Sequence, residues 1–385
     1  MSLRTVLQLY IASKSFGQAP KSLTAFYDTI EVGVLLFIIP GAWLADTRLG
    51  KKGAVLTGSI LLVAGQLVFL LNNFLGLYAG AILFALGSGL FRPALLASLF
   101  EASGPPTNER TDAVFTANLL VASLVVLLPG MLLPGFVPVY GYLKSLMLPA
   151  LVFAVAATVG LLLWPKVKGE PLPKPNVVRL FRKQWGALLV LVALGGLLIA
   201  ATGSINALIS NFLAEASRYM GLPLLGSLAS KMAFGASVAA ALAIIVWALV
   251  SAKRRAVQHQ LKKVRLAAGA VATSFVLLVV FWAIPNTNLA QVFVSAFVVV
   301  TVALAIVMVW AKPALLSLAA NDGAQPQTQL STLWFGFYLF GAWFIGLMGQ
   351  RLLAAAYLTT YKIPLFAGLA LVIAALAWLL PKARR

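Results

Sequence analysis

Few residues in this 385-residue chain could do chemistry, and their scarcity narrows what that chemistry is. There is no cysteine and a single histidine, His259, set in a basic stretch. No nucleophile–base–acid set can be assembled, so no catalytic residue, no metal ligand and no cofactor is expected. What stands out is charge inside apolar segments. "FYDTIEVG" (26–33) sets Asp28 and Glu31 three residues apart, on one helix face, with Tyr27 beside them. Arg92 interrupts "ALGSGLFRPALLA" (85–97), and Lys231, Lys312 and Arg351 add further cations. A charge inside a membrane-crossing helix costs about 2.5–3.5 kcal/mol on insertion scales, so each is a candidate for binding or moving a charged solute. The planar fork of Arg92 suits a carboxylate, on a substrate or on Glu31. A Glu31–Arg92 pair that breaks when the carboxylate takes a proton would be a workable proton switch. Plainer readings stay open. Asp28 and Glu31 also suit a wet helix mouth, Arg92 a snorkelling position, and Lys231 and Arg351 helix-end anchors. Trp310 and Trp334 suit an interface or a pocket equally well.

The elements that must hold these residues are membrane helices. Of the chain, 62% is hydrophobic and 10% charged, too little charge to cover a water-facing surface. Apolar runs fall at 23–45, 53–72, 75–101, 112–134, 143–165, 185–213, 225–251, 266–285, 288–318, 330–358 and 363–381, after a stub at 3–13. The stub is too short to cross, so it reads as half of a first helix, or the true start lies upstream of Met1. The fold class expected is an all-α membrane protein of about eleven or twelve helices. The net charge of +20 does not point to nucleic acid, because the basic residues sit in short connections. They cluster at 48–52, 166–183, 253–265 and 382–385, which places those loops and the C-terminus in the cytoplasm and anionic lipid headgroups beside them. A bacterial plasma (inner) membrane is the expected location. The Pro- and Lys-rich segment 166–184 reads as a cytoplasmic linker between a bundle at 1–165 and a second at 185–385.

"GAWLADTRLGKK" (41–52) is the charged turn between the second and third helices. Asp46 there can accept hydrogen bonds at a helix N-terminus, while Arg48 and Lys51 can meet lipid phosphates, latching helix ends together. From Asp46 to Gly50 there are four steps. That spacing, with the preceding G-x-W-L-A, resembles the G-G-W-L-A-D-R-x-L-G-R-R of the proton-dependent oligopeptide transporter (POT) family of the major facilitator superfamily. Further stretches are similar in order. "ALGSGLFRPALLA" resembles that family's fourth-helix A-L-G-T-G-x-x-K-P-N, and "ERTDAVFT" (109–116) the start of its fifth helix. "KPALLSL" (312–318) resembles a tenth-helix motif, and "LWFGFYLFGAWFIG" (333–346) an eleventh-helix one, with Trp334, Gly341 and Gly346 in register.

The resemblance implies two six-helix bundles with the first helix truncated, alternating access through a central cavity, and symport of a small peptide or peptide-like solute with protons. It places Tyr27, Glu31, Arg92, Asn118, Lys231, Trp310 and Trp334 around the substrate and proton path, and Asp46, Arg48, Gly50 and Lys51 in a conformational latch. The departures are specific. The family's E-x-x-E-R would precede Met1, its fifth-helix F-Y-x-x-I-N becomes "FTANLLVAS" (115–123), and its seventh- and tenth-helix acids have no counterpart. A non-transporting membrane subunit or scaffold, or a carrier of another anionic solute or lipid, are the competing readings.

Overall fold

The computed structural model describes residues 20–71, 74–102, 111, 114–118, 151, 154–155, 158, 185–201, 260–283, 311–323, 332–357 and 362–383. Among them there are helices and no strand. We number the long ones α1 (Pro20–Leu44), α2 (Gly50–Val68), α3 (Phe74–Ala102), α4 (Trp185–Ala201), α5 (Gln260–Ala283), α6 (Lys312–Gly323), α7 (Thr332–Tyr357) and α8 (Lys362–Ala383). The stub, the linker, Lys231 and Trp310 lie outside the described residues.

By length and composition, three helical stretches can cross a membrane: Thr29–Val68, which spans α1 and α2, then Leu75–Ala102 and Thr332–Leu353. Two shorter apolar helices, Trp185–Ala201 and Pro364–Leu379, accompany them. Large apolar side chains such as Leu36, Ile60, Leu75, Leu352 and Leu371 face outward, which only a hydrocarbon solvent makes favourable. The protein is an integral membrane protein.

The described residues form two compact units. One holds α1–α3 and α7 as far as Phe340; the other holds α4–α6, α7 from Gly341, and α8. Backbone proximity organises the first. A Cβ added to Gly41 would sit 2.6 Å from the Gly89 carbonyl oxygen, so α1 and α3 touch backbone to backbone. On α2 and α3 the same test pairs Gly58 with Gly87 and Gly65 with Gly80, an antiparallel register of small residues seven apart. In lipid no hydrophobic force drives helices together, so such close contact is what holds them. In the second unit α5 and α8 meet through Phe275 and Phe366, whose ring centroids are 5.5 Å apart. There α7 lies along α4, with Gly341 against Val192 and Gly346 against Ile199.

Two boundaries differ from expectation. The fifth helix starts at Gln260, six residues early, so Lys262, Lys263 and Arg265 ride on its first turns instead of in a loop. Long basic side chains are good helix formers and can reach water from a helix end. The sixth helix continues to Gly323, past the 318 limit set by hydropathy, and Pro313 to Ala320 on it are buried.

Candidate functional site

Two groups of charged residues stand in the first unit. The first lies within the membrane-crossing helices. Glu31 on α1 and Arg92 on α3 are both half-buried, and their charges interact. Gly33 lies against Ala85, which fixes the level of the two parallel helices. From there Glu31 is two residues back and Arg92 seven residues on, so roughly 13 Å of axial offset separates their backbones. In a low-dielectric surround that coupling is felt far more strongly than in water. Tyr27 is in the same helix, one turn before Glu31. Asn118 is half-buried in the helical residues 114–118. Trp334 is fully buried, near the start of α7.

The second group is the turn after α1. Ala45–Leu49 does not form an open loop; it is wound as one π-helical turn, carrying Asp46 and Arg48. Four steps from Asp46 to Gly50 are absorbed by that wider winding. Gly50 ends it at φ 68° and ψ 162°, in the region that favours glycine, with no described atom within 4 Å of where a Cβ would stand. The demand at Gly50 is therefore for backbone conformation, not for space. The Thr47 hydroxyl donates to the Trp43 carbonyl at 2.8 Å and ties the turn back to α1.

This geometry aims the Asp46 carboxylate at the start of α7. The Thr332 backbone N–H donates to Oδ1 at 2.9 Å and the Leu333 N–H to Oδ2 at 2.8 Å. The first N–H groups of a helix have no partner within it, and a carboxylate there also meets the positive end of the helix dipole. One remote side chain thus does what a local N-cap normally does. The Thr332 hydroxyl is buried and accepts no such duty: its Oγ1 has no hydrogen-bond partner. Below the turn, Ala45, Ala54, Val55, Leu90 and Ala94 form an apolar cluster that seats it on α2 and α3.

The basic residues of the turn divide. Lys51 forms an ion pair with Glu101 at the end of α3, with both side chains largely buried. This corrects its expected place on lipid phosphates, since a covered ammonium takes a carboxylate in reach. Arg48 and Lys52 are exposed. Glu101 is a residue that motif reading missed. Its signal was present, as an acid closing an apolar span on the side where the lysines of the turn lie. The α7 backbone donors carry no sequence signal. In the second unit the Gln260 amide donates to the Ser317 hydroxyl, both buried, another pair that no motif marks. Among the described residues no cluster of metal-ligating side chains occurs.

No family model matches the chain. A dipeptide and tripeptide permease A from Chromobacterium violaceum is 29% identical over 145 residues, covering 36% of this chain and 28% of that permease. The matched stretch thus spans under a third of the relative's length. Among solved structures, a POT family transporter in complex with 5-aminolevulinic acid aligns over 100% of this chain and 93% of its own, with a TM-score of 0.59 and 17% identity. The fucose:proton symporter of E. coli covers 100% of this chain and 95% of its own, with a TM-score of 0.72 and 13% identity. At such identities the structures speak for the fold, and the sequence match gives it a direction. The chain has the major-facilitator fold, and it is similar to a dipeptide and tripeptide permease in sequence and to a POT family transporter in structure.

Proposed function

We propose that the protein is a secondary transporter that carries a small peptide or peptide-like solute by alternating access, with protons as the coupling ion. The observation that carries this reading is the Arg92 charge, held in an apolar helix and coupled to Glu31. A protein that only fills or scaffolds a membrane has no use for so costly a group. Arg92 grips the substrate carboxylate, and Glu31 competes for it until it takes a proton. Tyr27, Asn118, Lys231, Trp310 and Trp334 complete the substrate path. Asp46, Arg48, Gly50 and Lys51 form the latch: its carboxylate holds the start of α7 in one state and must let go in the other. The bundles are those of 1–165 and 185–385, joined by the linker at 166–184. The host is a bacterial plasma membrane, with the C-terminus and the basic loops on the cytoplasmic side against anionic headgroups.

The test is uptake of labelled di-alanine into proteoliposomes, with and without an inward proton gradient. Gradient-driven uptake is the expected result, and Glu31→Gln should accumulate no more with the gradient than without it. Uptake by Glu31→Gln equal to the parent across the gradient would remove Glu31 from the mechanism. No uptake of any dipeptide by the parent would return the chain to a scaffold or to another solute.

A further inference from the structure

At the start of α7 one polar group is idle. Thr332 is 0% exposed, and among the described residues its Oγ1 has no hydrogen-bond partner. A buried polar atom left unpaired costs free energy, so its presence there calls for a reason. The backbone of the same residue is engaged: its N–H donates to Oδ1 of Asp46, and the Leu333 N–H to Oδ2.

Threonine is a preferred residue at the position just before a helix, where its hydroxyl accepts an N–H from two or three residues further on. Counted from Thr332, those donors are Trp334 and Phe335. A capping residue has extended backbone angles, whereas Thr332 is itself the first helical residue of α7. The two arrangements exclude each other. Thr332 is either helical, with its N–H on Asp46, or extended, with its hydroxyl on the helix end. A second contact says what decides between them. Gly336, one turn on from Thr332, lies so close to α1 that an added Cβ would stand 2.7 Å from the Cβ of Ala42. Ala42 is itself one turn before Asp46. Parting α1 from α7 therefore breaks the Ala42–Gly336 contact and both Asp46 bonds together.

We infer that Thr332 is a second cap for α7, idle while Asp46 is in place and engaged when Asp46 withdraws, the helix then starting at Leu333. This rests on the proposed reading of the Asp46 turn as a latch that opens. Without a substitute, opening would strand the donors of a whole helix end and leave the open conformation scarcely populated. With one, the Thr332 and Leu333 N–H groups are released while Trp334 or Phe335 gains an acceptor. The two conformations then stand closer in free energy.

Hydrogen exchange of the full chain in lipid nanodiscs, read at Trp334 and Phe335, tests the second cap. No substrate is involved, so a protein that carries no dipeptide can still show the cap, and loss of the cap leaves transport to be judged by uptake. Asp46→Ala stands in for the withdrawn carboxylate. In the parent, Thr332→Val should leave this exchange unchanged or slower, because it removes an unpartnered hydroxyl. In Asp46→Ala the same change should raise it about fivefold, the order of loss when a helix is deprived of a hydroxyl cap. Thr332→Ser keeps the oxygen and should match threonine in both backgrounds. Asp46→Asn replaces Asp46→Ala if the double variant does not fold, with a smaller rise of the same sign. Equal effects of Thr332→Val in the two backgrounds would overturn the second cap. So would a rise in Asp46→Ala that Ser331→Ala produces and Thr332→Val does not, since the neighbouring hydroxyl would then be the substitute.

Discussion

The two charged regions of the first unit hold their charges in opposite ways. Asp46 is tied down: both carboxylate oxygens accept a backbone N–H from the start of α7, and Gly50 and Thr47 fix the turn that carries it. Glu31 and Arg92 instead act on each other across about 13 Å of axial offset. Short, directed bonds fix a geometry, and a geometry held that firmly is worth having only where a conformation must be locked. Under the proposed function the contrast separates a lock from a binding centre, and the proposal predicts that each can be broken without the other.

The largest effect is expected at Arg92. Replacing it with leucine should lower dipeptide uptake about 100-fold, the order of loss when a buried charge that meets a substrate carboxylate is removed. Arg92→Lys keeps the charge without the fork and should recover part of the rate. The α7 amides should exchange hydrogen as in the parent, since the lock is untouched. If they exchange faster in Arg92→Leu, the two regions are one.

Next comes Asp46. Asp46→Ala deletes two charge-assisted hydrogen bonds and leaves two N–H groups part-buried, a loss of about 2–3 kcal/mol at the α7 N-terminus. Hydrogen exchange at Thr332 and Leu333 should then speed up by about 30- to 160-fold. Asp46→Asn, which keeps one carbonyl acceptor, should fall between. Dipeptide binding to the protein should change little, because the proposed binding centre is elsewhere. An unchanged exchange rate in Asp46→Ala would mean that the N-terminus of α7 is held by something other than this carboxylate.

Which of these features could be read from sequence follows from how local each is. Among the described residues the long helices were legible to within a few positions, because a 20-residue apolar run has one solution in a bilayer. The spacing of Asp46 and Gly50 was legible as a motif, and the charge of Arg92 as an anomaly. The π-helical winding was not, since nothing in "ADTRL" distinguishes it from a tight loop before Gly50 closes it. Asp46 reaching Thr332 could not be read either. The partner is a pair of backbone donors 286 and 287 residues away, and a backbone N–H has no letter. Glu101 was missed for a similar reason: its meaning depends on α3 returning beside α2, which hydropathy alone does not supply. The early start of α5 shows the limit from the other side, since charge near a span end says where water is but not where the helix stops.

A smaller effect is expected at Gly50. A Cβ there meets no described atom, so Gly50→Ala tests conformation alone. At φ 68° and ψ 162° an alanine costs about 1–3 kcal/mol, and the π turn should loosen. Exchange at Thr332 and Leu333 should rise in the same direction as in Asp46→Ala but less. Loosening at the turn with no change at α7 would uncouple the winding from the lock.

The smallest effect separates support from lock. Lys51 and Glu101 join the beginning of α2 to the end of α3, with side chains 13% and 27% exposed. Partial exposure screens the pair, so its coupling should be about 0.5–1 kcal/mol in a double-mutant cycle of Lys51→Met and Glu101→Gln. Either single change strands the other charge in a partly covered place, so each single variant should be worse than the double. If the pair only staples two neighbouring helices, the cycle appears in global stability and leaves α7 exchange alone. If it also steadies the turn that aims Asp46, the same coupling must reappear in the exchange of Thr332 and Leu333. We expect the second result, because Lys51 directly follows Gly50 and the cluster beneath it contains Ala45 of the turn itself.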